Sequence, residues 1–431
     1  MKLTLPQPVQ KVLNTLHGAG YEAYCVGGCV RDLLLSGRPT DYDVTTSALP
    51  HQVRELFAKT ADTGAAFGTV TVLTSGEERL AEQKTADGEA PTEKVEVTTY
   101  RTDGPYRNHR KPSAVSFGGR LIDDLRRRDF TINAICYNDE EGVVDPLEGW
   151  TDLRLGLIRA VGEPEDRFCE DALRILRCFR FAAKTGFAIE PKTLAAALRQ
   201  ARLLEQLSGE RVCEELRRIL ALPNGFAALL PLLRSGGLAF CSFRPPDESD
   251  AEKVLLQWRS IKAEQLSEPA KFALLLQATN GDTDQLFTVL RAPHALRDGT
   301  KARLDTAEVL ETAAGCRGAG ESLCSDADGD YRLLRLLSRH GPEAVREGIA
   351  LARIPSPIRQ MLDERLTALL DSGRAYTVGM LALGGNELLA CGAAGPQIGR
   401  ILSRLLDQVM RGMLDNTQEV LLKAAQGMIG N

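Results

Sequence analysis

The chain has 431 residues, of which 43% are hydrophobic and 26% are charged, and its formal net charge is -5. This composition is typical of a globular protein and excludes a disordered one, and the length predicts two to four domains. The small acidic excess gives no general sign of a nucleic-acid partner, which would need a local basic surface. One candidate surface lies between Arg101 and Ile135, where eight arginines and lysines occur with four aspartates.

The N-terminus and the cysteines indicate the compartment. The starting sequence MKLTLPQPVQKVLNTL lacks the apolar core of a signal peptide. No apolar run approaches the roughly 18 residues that a membrane helix needs. The ten cysteines are dispersed without zinc-site spacing, and Cys25, Cys136 and Cys178 lie in apolar runs. We therefore expect reduced thiols in a cytoplasmic protein with no membrane contact.

The N-terminal third alternates between predicted helices and strands. Hydrophobic spacing and β-branched residues define these elements. In chain order they are a helix at 8–17, a strand at 21–26, a helix at 30–35, strands at 41–45, 69–73 and 94–100, and closing segments at 129–137 and 142–145. The polar segment 76–91 is predicted to be a hairpin tip. Together they predict an α/β head of about 150 residues.

Beyond Glu163 the pattern becomes helical. Apolar residues recur at helical spacing and strand signals almost vanish. Stretches rich in Pro, Gly and Asp at 242–251 and 314–330 mark plausible boundaries. We therefore predict the α+β class, with an N-terminal α/β head followed by an all-α remainder.

Asp41 and Asp43 form a carboxylate pair behind the glycines Gly27 and Gly28. Alternate residues of a strand project from one face, so these side chains should lie together. Adjacent carboxylates repel each other unless a cation binds between them, and Mg²⁺ bridged to nucleotide phosphates suits such oxygen ligands. Isolated D-x-D pairs are usually solvated surface carboxylates. Here the glycines let backbone approach a bulky anion, and Arg31 adds positive charge.

Further residues could complete such a site. Glu96 lies on a predicted strand between two valines that face the other way, and a third carboxylate could assist a metal pair or accept a proton. Taken alone, an ordinary surface glutamate is the commoner interpretation. Arg127 and Arg128 suit bidentate phosphate contacts, whereas Asp129 beside them is also consistent with simple helix capping.

The segment from Glu170 to Arg180 carries the most specific pattern. Its apolar stripe predicts a helix with one packed face, and Asp171 and Arg174 should meet on another face. An acceptor beside a fork of donors matches the base edges of cytosine and adenine and rejects uracil and guanine. A simple ion pair is the commoner fate of such residues. Arg177 and Arg180 continue the basic side of the helix, where a triphosphate could lie.

These segments, in this order, resemble the class II tRNA nucleotidyltransferases, the CCA-adding enzymes, and their poly(A) polymerase relatives in the polymerase-β superfamily. The resemblance covers roughly residues 20–220 and rests on GGCVRDLL, RPTDYDVTTSALP, FGTVTV, VEVTTYRTDG, RRRDFTINA, VVDPLEG, EDALRILRCFRFAAKTGF and LSGERVCEEL. It implies a nucleotidyltransferase head at 1–150, a helical neck at 151–225, a helical body at 226–330 and a tRNA-binding helical tail at 331–431.

The resemblance also implies residue roles. Asp41 and Asp43 would bind Mg²⁺ and act in catalysis with Glu96. The implied nucleotide-binding residues are Gly28, Arg31, Arg128, Asp171, Arg174, Arg177 and Arg180. The tRNA 3′-hydroxyl would attack the α-phosphorus of CTP or ATP and release pyrophosphate, assisted by positioning and charge neutralisation. No stable protein partner is implied.

Four activities share such a head: CCA addition, CC addition, A addition and polyadenylation. The segment 106–117 resembles the flexible loop that accompanies addition of the terminal A, which argues against a CC-only enzyme. The VEVTTYRTDG segment is more similar to the CCA type than to poly(A) polymerases. CCA addition is therefore the predicted function. A non-catalytic RNA-binding relative is disfavoured because the carboxylates and the predicted base-reading residues are present.

Overall fold

The computed structural model describes residues 2–35, 37–64, 68–75, 92–104, 106–107, 111–112, 114–261, 265–315 and 326–429. The chain divides into two compact units, Met1–Pro245 and Pro246–Asn431. The predicted hairpin tip at 76–91 and part of the predicted loop at 106–117 lie outside the described residues. The division into head, neck, body and tail stays a prediction.

The first unit begins with a region of mixed helices and strands. Its elements are α1 (Gln7–Gly18), β1 (Ala23–Val26), α2 (Gly28–Leu34), β2 (Tyr42–Thr46), α3 (Pro50–Leu56), β3 (Thr60–Gly64), β4 (Thr69–Ser75), β5 (Thr92–Thr99), β6 (Arg101–Asp103), β7 (Tyr106–Arg107), β8 (Lys111–Pro112), β9 (Val115–Phe117), α4 (Leu121–Arg126), β10 (Cys136–Asn138) and β11 (Gly142–Val144). A short 3₁₀ turn at Thr131–Asn133 precedes β10.

The main sheet has the strand order β11-β10-β1-β2-β5-β4-β3. Strands β2 and β5 run parallel, and the other neighbours are antiparallel. Val70 and Val72 on β4 and Val95 and Val97 on β5 are buried, which explains why these β-branched segments form strands. Helix α1 buries its apolar stripe in the same core. The buried face of the sheet thus fixes which residues of β2 and β5 face outward.

The remainder of the first unit is largely helical. It contains α5 (Gly149–Leu155), β12 (Leu157–Ile158), α6 (Pro164–Glu170), α7 (Leu173–Thr185), β13 (Ala188–Ile189), α8 (Pro191–Arg199), α9 (Gly209–Leu220) and α10 (Gly225–Arg234). Proline begins α6 and α8, where a missing backbone N–H costs little. Gly186 ends α7 with a φ of 73°, in the left-handed region. Strands β12 and β13 form a short parallel ladder.

The second unit is built from helices in its described part. They are α11 (Glu248–Ser260), α12 (Glu268–Thr279), α13 (Thr283–Leu290), α14 (His294–Ala313), α15 (Asp326–Leu351), α16 (Ser356–Asp371), α17 (Gly385–Ala390), α18 (Pro396–Met410) and α19 (Gln418–Ile429). Helix α15 is interrupted at Gly341, where φ is 79°, and Pro342 follows directly. Among the described helices, none combines the length and apolarity that a bilayer crossing demands.

The predicted fold class is confirmed. The head carries the mixed sheet, and helices dominate the rest of the described chain, with the β12–β13 ladder as an addition to the all-helical expectation. The predicted apolar stripe begins at Ala172, so it did not reveal the break between Glu170 and Leu173. At the break, the Asp171 carboxylate accepts a hydrogen bond from the Leu173 backbone N–H at 3.1 Å, which satisfies one free N–H at the start of α7.

Candidate active site

Asp43 and Glu96 lie side by side on the two parallel strands of the sheet. The register pairs Asp43 with Glu96 and Val44 with Val97. Residues directly opposite each other in a sheet point to the same face, so the two carboxylates share one face. Val44 and Val97 are fully buried on the other face. Strand alternation therefore brings together two of the three predicted catalytic carboxylates.

Asp41 lies just before β2 rather than within it. Its side chain is exposed, and its Oδ2 accepts a hydrogen bond from the Thr40 hydroxyl at 3.2 Å. Its charge still reaches Asp43, because Asp41 is one cause of the raised pKa of that carboxyl. Asp41 is thus a neighbour of the Asp43–Glu96 pair at the edge of the site.

The Asp43–Glu96 pair opens into a cleft of about 230 Å³. The cleft is lined by Val26, Asp43, Val44, Thr69, Glu96, Thr98, Arg101, Arg127 and Arg128. Desolvation by the cleft walls raises the pKa of Asp43, Arg128 counteracts this rise, and Glu96 and Asp41 add to it. Carboxylates and guanidiniums therefore converge on one small volume, which suits a cation together with an anionic ligand.

The glycine turn next to this cleft depends on Gly27. Its φ of 83° lies in the left-handed region, and a Cβ there would come within 3.1 Å of Arg128 Nη1. Gly28 is the first residue of α2, and its own Cβ would meet Arg31 Nη2 at 3.7 Å. The close approach of the turn to Arg128 therefore explains why a glycine is needed at Gly27, and it explains Gly28 less directly.

Arg128 has an incompletely satisfied guanidinium. Its Nη2 donates to Asp124 Oδ2 at 3.4 Å, while its Nε is buried and has no hydrogen-bond partner among the described residues. A buried donor without a partner is costly unless a ligand satisfies it. Of the predicted nucleotide-binding arginines, Arg128 is therefore the one that the geometry most clearly leaves available to an anion.

Arg31, in contrast, is enclosed. Its side chain is only 2% exposed. It donates to Asn133 Oδ1 at 2.5 Å and to Asp32 Oδ1 at 2.6 and 2.8 Å. Its guanidinium also lies 5.1 Å from the centre of the Phe181 ring. The predicted positive charge is present beside the glycine turn, but its donors are already occupied.

Three arginine guanidiniums lie around the ring of Phe181. The guanidiniums of Arg31, Arg177 and Arg180 lie 5.1, 5.3 and 4.6 Å from its centroid. Such distances place each cation within reach of the ring quadrupole. The ring also packs edge-on against Phe130, with 5.7 Å between centroids. Sequence reasoning missed Phe181, although an aromatic residue directly after Arg180 was the available signal.

Arg177 and Arg180 are held by carboxylates from elsewhere in the first unit. Arg177 Nη2 lies 2.6 Å from Asp129 Oδ2, and Arg180 Nε lies 2.7 Å from Glu215 Oε2. Burial alone would raise the pKa of Asp129, but Arg177 and an Asn133 hydrogen bond outweigh it and lower the pKa to about 2. Asp129 therefore does more than cap a helix. It is the buried anion of an ion pair.

The prediction that Asp171 and Arg174 meet one turn apart on a helix is wrong. Asp171 is extended, with φ -138° and ψ 104°, and lies between α6 and α7. Its oxygens accept from Arg211 Nη2 at 3.3 and 3.4 Å. Arg174 instead donates to the Glu170 carboxylate at 2.6 Å and to the Arg127 carbonyl at 2.7 Å. Each residue thus has its own partners in this structure.

Two known families match parts of the chain. The family described as "Poly A polymerase head domain" matches residues 23–159. The family described as "Probable RNA and SrmB- binding site of polymerase A" matches residues 186–240. The first match contains the Asp43–Glu96 pair and the cleft arginines, and the second contains Glu215 and Arg211.

Curated relatives match over nearly the whole chain. The CCA-adding enzyme of Limosilactobacillus fermentum is 35% identical, and the alignment covers 98% of each chain. The CCA-adding enzyme of Streptococcus gordonii is also 35% identical, with 97% of each chain covered. These alignments extend over both compact units of the chain.

Solved structures share the fold. The Bacillus stearothermophilus CCA-adding enzyme in complex with CTP is 28% identical, with a TM-score of 0.75 and 98% of each chain covered. The Thermotoga maritima CCA-adding enzyme complexed with tRNA is 20% identical, with a TM-score of 0.67, and shows likeness of fold alone. The chain belongs to the CCA-adding enzyme family and is a nucleotidyltransferase.

Proposed function

We propose that this protein adds CCA to the 3′ end of tRNA, using CTP and ATP and releasing pyrophosphate. The observation that carries the proposal is the Asp43–Glu96 pair, set in register beside Arg128 in one cleft. Its context supports the choice of substrate, because the curated relatives of nearly full length are named CCA-adding enzymes. The solved relative at 28% identity was captured with CTP.

Nucleotidyltransferases generally use divalent metal ions, and the carboxylates of the cleft fit Mg²⁺. Among the described residues, no three His, Cys, Asp or Glu side chains form a ready-made metal cluster. Mg²⁺ commonly takes one or two carboxylates and completes its shell with substrate phosphates and water. Asp43 and Asp41 would hold the ion with Glu96 beside them. Once bound, it would neutralise charge on the phosphates.

Positive charge for the triphosphate comes chiefly from the cleft arginines. Arg128 offers a buried Nε that has no hydrogen-bond partner in the described part of the chain, and Arg101 and Arg127 line the same cleft. Arginine donors match phosphate oxygens in bidentate geometry. In this proposal the tRNA 3′-hydroxyl attacks the α-phosphorus in line and pyrophosphate leaves, and Glu96, which pairs in register with Asp43, would help accept the proton of the hydroxyl.

The enclosed arginines have a second, less direct role in the proposal. Arg31, Arg177 and Arg180 are predicted to contribute to nucleotide binding, together with Gly28 of the glycine turn. Their guanidiniums are engaged by Asn133, Asp129 and Glu215, so phosphate contact would require sharing these donors.

Base selection is assigned to Asp171 and Arg174, although they do not contact each other in this structure. The support is chemical, because the acceptor and the donor fork match cytosine and adenine. Arg211 holds Asp171 only at 3.3 and 3.4 Å, which a stronger base contact could replace. Arg174 is held more tightly, by Glu170 and by the Arg127 carbonyl. Nucleotide binding would therefore release Arg174 from at least one of these partners.

The proposed partners are tRNA and the two nucleotides, and the proposed location is the cytoplasm. The tRNA is supported by the resemblance of the sequence motifs to the tRNA nucleotidyltransferases, and the curated relatives are named CCA-adding enzymes. Buried cysteines such as Cys25, Cys136 and Cys178 suit a reducing compartment.

The end point of addition separates CCA addition from the related activities. The purified protein would be incubated with tRNAs ending at the discriminator base, at C and at CC, each with CTP, ATP, UTP or GTP. Sequencing of the 3′ ends should show CCA and no further growth. Long A tails, a stop after CC, or extension only of tRNA ending in CC would each contradict CCA addition.

A further inference from the structure

Asp124 is a buried carboxylate that pairs with two arginines of the cleft. It lies on α4, and its side chain is 0% exposed. A fully buried aspartate needs cationic or hydrogen-bonding partners to remain charged. Its partners therefore show what it does.

Those partners include the backbone of Arg101, two arginines of the cleft and the strand that carries Asp43. Arg127 donates to Asp124 Oδ1 from Nε at 3.0 Å and from Nη2 at 2.6 Å. Arg128 Nη2 donates to Oδ2 at 3.4 Å. The Thr45 hydroxyl donates to the same Oδ2 at 3.3 Å. One carboxylate thus joins two arginines that line the cleft to a threonine of the strand that carries Asp43.

The link to Thr45 connects the arginines to the metal-binding strand. Thr45 and Asp43 are alternate residues of β2, so they point to the same face of the sheet. Asp124 therefore links the positions of Arg127 and Arg128 to that of the Asp43 carboxylate. Arg128 Nη1 also lies close to Gly27, where a Cβ would come within 3.1 Å of it.

Charge balance gives Asp124 a second effect. Arg127 and Arg128 are adjacent cations, and each is only 18% exposed, so they repel each other with little solvent screening. Burial alone would raise the pKa of Asp124, but Arg128 and Arg127 hold it below its usual value. The carboxylate thus stays ionised, cancels one of the two positive charges and lets both guanidiniums remain together.

We propose that Asp124 is a positioning residue for nucleotidyl transfer, which aligns Arg127 and Arg128 with the triphosphate held at Asp43. This role rests on the proposed function, since it concerns the same cleft. Asp124 does not touch the substrate and acts through the arginines. Misplacing a phosphate-binding group by about 1 Å costs on the order of 100-fold in rate.

The test compares Asp124→Asn with Asp123→Asn in the full-length protein. Asp123 is the adjacent residue of α4 and pairs with the exposed Arg120, so it is a matched control. Steady-state addition of C to tRNA gives kcat and KM for CTP, and inorganic pyrophosphate serves as an inhibitor that probes the phosphate site. Thermal melting reports the folded fraction.

We expect Asp124→Asn to lower kcat/KM for CTP by about 100-fold and to raise the pyrophosphate inhibition constant by about 10-fold. Asp123→Asn should stay within about twofold of wild type. If Asp124→Asn does not fold, Asp124→Glu tests the positioning role instead, because it keeps the charge and shifts the carboxylate by one methylene. It should retain the melting temperature and still lose kcat/KM.

Three results have distinct meanings. An inactive wild-type protein would overturn the proposed function itself. An active wild type with folded Asp124 variants of normal kcat, KM and pyrophosphate inhibition would overturn the positioning role alone. A lowered melting temperature with unchanged kinetics of the folded fraction would also overturn it, because it would reduce Asp124 to a structural residue.

Discussion

Two charged regions of the first unit differ in how completely their charges are paired. In the cleft, the carboxylates of Asp43 and Glu96 stand side by side, and Arg128 keeps a buried donor without a partner among the described residues. Around Phe181, in contrast, Arg177 and Arg180 each have a carboxylate within 2.7 Å. Incomplete pairing costs folding free energy, so the charges of the cleft suit the binding of a ligand. Phe181, Arg177, Arg180 and their carboxylate partners, which we call the Phe181 cluster, instead hold α7 in place through their ion pairs.

The difference shows that residue type alone does not distinguish a binding charge from a structural one. Arg128 and Arg180 are both arginines in the expected motifs, and the resemblance implies nucleotide binding for both. Their partners separate them, since Glu215 engages Arg180 while Arg128 shares Asp124 with Arg127. Substitutions in the two regions should therefore affect different measurements.

The largest expected effect is on turnover, from Asp43→Asn. Loss of this carboxylate removes a proposed metal ligand, so addition of C should fall on the order of 1000-fold or more. Because the pKa of Asp43 is raised, its charged form costs the folded state free energy at neutral pH. In the absence of added metal, Asp43→Asn should therefore melt at a temperature no lower than that of the wild type. Rates from single-turnover addition and melting by circular dichroism check both parts, and near-normal turnover would refute the proposed role of Asp43.

The next effect is on stability, from Glu215→Gln. Glu215 is 4% exposed and Arg180 15%, so the change strands a buried cation and should cost about 3 kcal/mol in the free energy of unfolding. Glu214→Gln is the matched control, because Glu214 is 48% exposed and should change stability by less than about 0.5 kcal/mol. Urea unfolding measures both variants. Equal stabilities for the two would show that the Phe181 cluster is not a structural element.

A pH-dependent effect is expected from Asp129→Asn. The pKa of Asp129 is lowered to about 2 in the folded protein, from an ordinary value of 3.8. Its ionised form therefore stabilises the fold above about pH 4, by about 2 kcal/mol, and this contribution is lost as the pH falls towards 2. The stability difference between wild type and Asp129→Asn should shrink over that range. A difference that is constant with pH would exclude the ion pair with Arg177 as its cause.

The smallest effect concerns selectivity, from Asp171→Ala. Asp171 is paired less tightly than Arg177 and Arg180, since Arg211 donates to its oxygens at 3.3 and 3.4 Å. Loss of the acceptor should reduce discrimination against UTP by about 10-fold, because one base contact contributes about 1 to 3 kcal/mol. Competition between CTP and UTP on tRNA ending at the discriminator base measures it. Arg218→Ala, on the exposed side of α9, should leave selectivity unchanged.

The sequence was sufficient where local rules decide. Strand alternation predicted that Glu96 faces away from Val95 and Val97, and helical spacing identified α7. The sequence did not reveal the ion-pair partners of Arg177 and Arg180, which lie 48 and 35 positions away. It also failed at Asp171, which is extended, because the apolar stripe begins only at Ala172 and does not define the backbone before it. Asp124 escaped notice because burial, not spacing, makes it important.

The separation of the two regions is tested most directly by measuring single-turnover addition and the free energy of unfolding on Asp43→Asn and Glu215→Gln together. We expect Asp43→Asn to lose addition and keep its stability. We expect Glu215→Gln to lose about 3 kcal/mol of stability and to retain most of the turnover of its folded fraction. The reverse pattern, with stability lost in Asp43→Asn and turnover abolished in stable Glu215→Gln, would contradict the assignment of chemistry to the cleft.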